Sequence, residues 1–418
     1  MNEIITLANG LRLSYCYIPH VRSVCWGVFV AAGSVGETEK ISGISHAIEH
    51  MCFKGTARRT ALQLATEIDD LGANVNAFTS KEMTCYYFQC LDENVEACCD
   101  LLSDLVLHRS FDEGEWAKEK MVICEEIDMN EDQPDDVCSE LASRAYWGND
   151  PLARPILGTK ESVTALTPKD MQDYVARYYT AENSVLSVVG HISREEAVRL
   201  AEEYFDFPSG KVEHAREAHR HSPVQLVREK DVEQANVIIT YPGFAYDDPR
   251  CGALSVFDAV FGGGMSSILF QRVREQLGLA YSVYSFPSLY RDRGSYSIYI
   301  GTNPAKLDEA VRTVATIIRE LLAEGIPEEA FLRGKQQTKS AYVLGTESNM
   351  VLMRAMARRL LFSGRTFDMA EEVARLSSVQ PEDVAEVIHS IFGATPSIGL
   401  VVRSSTRDYI QELNHGIE

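Results

Sequence analysis

No run of roughly 18 apolar residues occurs in this chain, so no stretch of it is built to cross a membrane as a helix. The opening segment MNEIITLANGLRLSY also lacks the basic head and apolar core of a secretory leader, and the two absences together predict a cytoplasmic protein. There is no C-x-x-C pair either, although the sequence holds ten cysteines. Nine of them fall within the first 138 residues, inside apolar patterns, which predicts reduced core thiols rather than disulfides or a structural zinc site. Positive charge is the scarcer sign: 40 Lys+Arg face 61 Asp+Glu, a formal net charge of −21. Such an excess repels phosphate backbones and excludes nucleic acid as a partner, while basic or extended peptides stay acceptable. The plainer reading of the excess is a solubility charge spread over the surface. The stretch FGGGMSS (261–267) lacks both the Lys-Ser/Thr ending of a P-loop and the G-x-G-x-x-G of a dinucleotide site, so a nucleotide role is rejected.

What is present is an ordinary globular composition, 45% hydrophobic and 24% charged, over a length that calls for about two to three domains. Asn9-Gly10 marks a hairpin turn, and RSVCWGVFVAAG puts Val24, Trp26, Val28 and Val30 on one strand face. A short helix is predicted to hold HAIEH, with further helices from about Thr60 to Gly72 and from about Asp112 to Asn130, and strands at ANVNAFTS and TCYYFQCL between the last two. Thr167-Pro168 starts another helix, SVLSVVG (184–190) reads as a strand, and Ser193 with Glu196 has capping-box spacing. The apolar rhythm lapses over residues 206–230 into Pro, Gly, His and alternating charge. This predicts a first domain over 1–208, a linker over 209–228 and a second domain over 229–418. The linker histidines 214, 219 and 221, without ordered flanks or cysteine, read as solvated rather than as a metal cluster. The second half repeats the plan of the first: NVIITYPGF matches SVCWGVFVAAG, ALSVFDAVFGGG matches ISHAIEHMCFKG, and SIGLVV echoes SVLSVVG.

Histidine is also sparse, at 10 residues, yet two stand close together in HAIEH (46–50). On a helix His46, Glu49 and His50 share a face, so two imidazoles can grip one ion. A chance match in such a chain is on the order of a few per cent. A helix with solvated histidines is the other reading, but AIEHMCF interleaves them with apolar residues that belong against a core. Catalytic zinc needs a third protein ligand and one open position. The helix EKMVICEEIDMNED offers Glu119, Glu125, Glu126 and Glu131, of which Glu119 and Glu126 lie two turns apart on one face. A buried ion would account for acids beside Met121, Val122 and Ile123.

These residues resemble a known family. HAIEH is similar to the signature of the inverzincin metallopeptidases. Within that group the chain resembles the short, two-domain pitrilysin or insulinase type, especially mitochondrial processing peptidase and its bacterial relatives. The likeness runs nearly end to end, through HAIEHMCFKGT, GANVNAFTSKE, VICEEIDMNEDQPDD, PILGT, FGGGMSS and GLAYSVYS. It implies an α+β fold of two duplicated domains, each a mostly antiparallel sheet with helices packed on it, facing each other as a clamshell. It implies one Zn²⁺ per chain, held by His46, His50 and Glu126, with Glu119 supporting the site and Glu125 the neighbouring alternative. Glu49 would be the general base of a zinc endopeptidase or oligopeptidase acting on unfolded peptides. Asn76, Ala77 and Phe78 would line a substrate strand. Arg274 and Tyr281 would act on the substrate, with Arg272 a rival for the arginine role. A homodimer is implied, because the glycine-rich loop and the zinc motif share one chain. The competing expectations are a non-catalytic scaffold of the same fold and a peptide binder with structural zinc.

Overall fold

The computed structural model describes residues 2–214, 219–404 and 407–414; residues 215–218 of the expected linker lie outside that range. In chain order the elements are β1 (Glu3–Thr6), β2 (Arg12–Tyr17), β3 (Ser23–Val30), α1 (Ile44–Cys52), α2 (Ala61–Asp70), β4 (Asn74–Thr79), β5 (Thr84–Leu91), α3 (Val95–Leu107) and α4 (Glu113–Asp132). Then follow α5 (Pro134–Trp147), α6 (Lys160–Ala165), α7 (Pro168–Tyr178), β6 (Ser184–Gly190), α8 (Arg194–Tyr204), β7 (Gln225–Glu229), β8 (Ala235–Gly243) and α9 (Cys251–Phe261). After a π-helical segment (Phe270–Gln276) come β9 (Ala280–Leu289), β10 (Gly294–Thr302), α10 (Leu307–Glu324), α11 (Glu328–Thr346), α12 (Asn349–Ser363), α13 (Met369–Ser378), α14 (Pro381–Phe392), β11 (Ser397–Val402) and α15 (Ile410–Leu413).

The strands form two sheets. The first has the order β1-β2-β6-β3-β5-β4 and the second β7-β11-β8-β10-β9. In each, one parallel pair (β2 with β6, β11 with β7) sits among antiparallel neighbours. Dropping β1 makes the two orders superimpose, strand for strand, as the internal repeat of the sequence requires. The hairpin turn at Asn9-Gly10 forms with Gly10 at φ 88; at Ser193 only half of the expected capping box is present, the hydroxyl accepting from the Glu196 amide at 3.2 Å, while full capping boxes form at Thr60 and Thr167.

The alternation read from β3 is a division between two faces. Trp26 and Val28 enter a core with Ile44, Ala47, Ile48 and Met51 of α1. On the other face a Cβ added to Gly27 would meet Met353 Cε of α12 at 3.1 Å.

Two compact units result, but they are not the contiguous stretches 1–208 and 229–418 expected from composition. The first gathers described residues 2–128, 154–214 and 344–368; the second gathers 129–153, 219–343, 369–404 and 407–414. Helix α5, from the first half of the chain, lies on the second sheet, where a Cβ on Gly399 would come within 2.4 Å of the Ala142 nitrogen. Helix α12, from the second half, lies on the first sheet, and Ser187 Oγ donates to the Met353 carbonyl at 2.9 Å. An amphipathic pattern specifies a buried face and not the sheet that buries it, so sequence periodicity does not reveal this exchange.

All ten cysteines are free thiols, and all but Cys124 are buried. His219 and His221 stack against Tyr146, with ring centroids 5.3 and 4.7 Å away, so these two linker histidines are packed rather than solvated.

Candidate metal centre

The residue in the cap position before α1 is Gly43, whose φ of 89 suits glycine, and which has no side chain to cap the first turn. Glu37 does this instead. Its carboxylate accepts from the Gly43 amide at 2.7 Å and the Ser45 amide at 2.9 Å, while Ser45 Oγ lies 3.0 Å from the Tyr174 hydroxyl. Glu37 is only 4% exposed; burial pushes its carboxyl above the ordinary range, and the two amides oppose that shift. Gly158 of the PILGT segment presses on the same turn, since a Cβ there would meet the Ser42 carbonyl oxygen at 2.4 Å. The start of the HAIEH helix is thereby fixed from two directions.

One turn later the side chains converge. His46 Nε2 and His50 Nε2 lie 3.1 Å apart, and Glu126 Oε2, from α4, lies 3.7 Å from the first and 3.6 Å from the second. Three atoms so spaced share a point about 2.0 Å from each, which matches Zn–N and Zn–O bond lengths. Among the described residues this is the one such group of three. His50 Nδ1 is 2.8 Å from Glu119 Oε1; as donor there it leaves its Nε2 lone pair facing the centre. Lys54 Nζ holds the other Glu119 oxygen at 2.6 Å. Burial, with His50 beside it, lowers the His46 pKa to about 4, so its imidazole is neutral at pH 7 as a ligand must be. The donor set, two imidazoles and a carboxylate, suits zinc and leaves a position for water.

Glu49 stands between the two histidines in sequence but outside the trio. Thr79 Oγ1 of β4 donates to its carboxylate at 2.5 Å, and burial raises its pKa. Glu125 is exposed. The expectation that the acids of α4 sit among buried neighbours holds only for Ile123; Met121 and Val122 are 65% and 45% exposed. Glu37, Thr79 and Lys54 went unnoticed in the sequence. The available signal was a helix start whose cap is a glycine, which demands an acceptor from elsewhere.

Strand β4 ends its sheet, paired with β5 on one side and with no strand on the other among the described residues. Asn76, Ala77 and Phe78 lie on it. Tyr281, the second residue of β9 in the second unit, is 70% exposed, with the Arg274 guanidinium 5.5 Å from its ring centroid. Arg272 is taken up by an ion pair with Glu320. In α9, where the internal repeat puts Asp258 at the place of Glu49, that acid accepts from Ser285 Oγ at 2.6 Å and the Tyr296 hydroxyl at 2.9 Å.

Residues 15–160 match the family model described as Insulinase (Peptidase family M16), and residues 165–338 match Peptidase M16 inactive domain. The chain is 38% identical to an uncharacterized zinc protease of Bacillus subtilis, over 95% of this chain and 97% of that one. It is 34% identical to an uncharacterized zinc protease of Streptomyces coelicolor, over 95% and 88%. A crystal structure of a peptidase M16 inactive domain from Pseudomonas fluorescens has the same fold, with a TM-score of 0.91 at 20% identity over 98% of this chain and 99% of that one.

Proposed function

The chain belongs to the insulinase family, peptidase family M16, and from that premise we propose that it is a zinc-dependent endopeptidase or oligopeptidase that hydrolyses unfolded peptides. The observation that carries the proposal is the approach of His46, His50 and Glu126 to one another, with Glu119 behind His50. A zinc ion bound there would supply Lewis acidity, which lowers the pKa of water and polarises the scissile carbonyl.

The remaining chemistry falls to the chain. Glu49 takes a proton as the water oxygen bonds to the carbonyl carbon, and returns it to the amine as the C–N bond breaks. Burial favours this role, because a raised carboxyl pKa lies nearer neutrality, and Thr79 fixes the orientation of the base. An extended peptide adds to the open side of β4, with the backbone of Asn76, Ala77 and Phe78 supplying the ladder. Tyr281 donates to the oxyanion that develops on the carbonyl and Arg274 binds substrate carbonyl oxygens. The exposure of Tyr281 and the engagement of Arg272 by Glu320 support this division of labour. The centre takes one zinc per chain, and the enzyme acts in the cytoplasm as a homodimer. Among the described residues no helix is long and apolar enough to cross a membrane.

A mixed peptide library incubated with the protein and resolved by mass spectrometry tests the reading. Internal cleavage products that vanish with a chelator are expected. A library left intact in the presence of zinc would reduce the chain to a non-catalytic relative.

A further inference from the structure

Strand β4 has two faces. Thr79, bonded to Glu49, points to the α1 side. Register pairs Asn76 with Tyr87 and Phe78 with Cys85, so these four share the opposite face, the one α12 covers. There Arg354 of α12 lays its guanidinium 5.0 Å from the ring centroid of Phe78 and 5.0 Å from that of Tyr87.

This arginine is unusual in its lack of an acid. Among the described residues it makes no ion pair and no hydrogen bond, and its Nε is buried without a partner. A chain with 61 carboxylates and 40 cationic side chains has acids to spare for a half-buried cation. Two aromatic rings hold the guanidinium in place, so little side-chain freedom is left to lose when a ligand arrives.

On the reading that peptides add to β4, the added strand runs about 4.8 Å from it, and every second side chain falls on the Asn76 and Phe78 face. We propose that Arg354 is a specificity-determining cation that selects an aspartate or glutamate of the peptide at one position on that face. The net charge favours basic peptides at long range; Arg354 imposes an opposite preference at one place. A carboxylate docking on a pre-oriented guanidinium gains charge-assisted hydrogen bonds, which a glutamine cannot match.

The test uses the full-length, zinc-loaded Glu49→Gln protein, which lets peptides bind without being cut. Fluorescent ten-residue peptides, identical except for a Glu, Gln or Lys walked through each position, are titrated by anisotropy. The expected result is Glu bound about tenfold more tightly than Gln at alternate positions, with Lys weakest there. Adding Arg354→Met should bring Glu and Gln within about twofold, and Arg354→Lys should keep part of the difference. The Glu/Gln comparison in the Glu49→Gln protein needs no arginine variant, so a misfolded Arg354→Met cannot hide the answer. Peptides that bind with no charge preference, or a preference that survives Arg354→Met, overturn the arginine's role alone. Failure of every peptide to bind overturns the β4 docking on which it rests.

Discussion

At the candidate metal centre Glu119 holds His50, Lys54 holds Glu119 and Thr79 holds Glu49, and the holding residues carry measurable consequences. Glu119 orients His50 through Nδ1, so Glu119→Gln should weaken zinc binding by about 10- to 100-fold while leaving the three ligands in place. Competition with a chromophoric chelator reads this directly, and an unchanged affinity would remove Glu119 from the site. His46 makes a pH prediction. Its folded pKa of about 4 lies below the ordinary 6.5, so between these values the unfolded chain binds a proton that the native chain refuses. Metal-free protein should therefore lose stability as pH falls through that window, and His46→Gln should have the shallower slope in urea titrations at pH 7, 6 and 5. Equal slopes would mean that His46 is not held neutral. At this scale the sequence was informative about His46, Glu49 and His50, because helical spacing alone puts them together. Choosing Glu126 over Glu125 took the family resemblance, since adjacent acids differ only in the rotation of α4. Glu37 was invisible because its role depends on a loop folding back over the start of α1.

Helix α1 is fixed at its start by backbone as much as by side chains. Gly158 has φ 77, and a methyl group there would collide with the Ser42 carbonyl. Gly158→Ala should destabilise the protein by about 1–3 kcal/mol and weaken zinc binding, because relief requires moving the first turn of α1. A melting temperature and zinc affinity equal to those of the parent would separate the PILGT segment from the metal centre. Turn and cap chemistry made most elements legible: Asn9-Gly10, Thr60 and Thr167 each act locally. Two things were not legible. Hydrophobic periodicity on α4 gave a helix, yet Met121 and Val122 are exposed, because a helix that brings Glu119 and Glu126 to the two histidines need not bury every apolar residue. The partner sheets of α5 and α12 were equally hidden, being set by packing between segments far apart in sequence.

At the level of the whole molecule, one plan occurs twice, and among the described residues only the first copy holds a group like His46, His50 and Glu126. The matching sheet orders followed from a repeat visible in the sequence, whereas the exchange of α5 and α12 between the units did not. In the second copy Asp258 replaces Glu49 and is consumed by hydrogen bonds to Ser285 and Tyr296, which fits a structural duty. The measurement that bears most directly on the account pairs zinc content with turnover of a quenched peptide for the parent protein and Glu49→Gln. The account predicts about one zinc per chain in both, with turnover in the variant reduced at least about 100-fold, because a base is lost and the ligands stay. Full turnover by Glu49→Gln, or a parent that hydrolyses the peptide with no zinc bound, would contradict it.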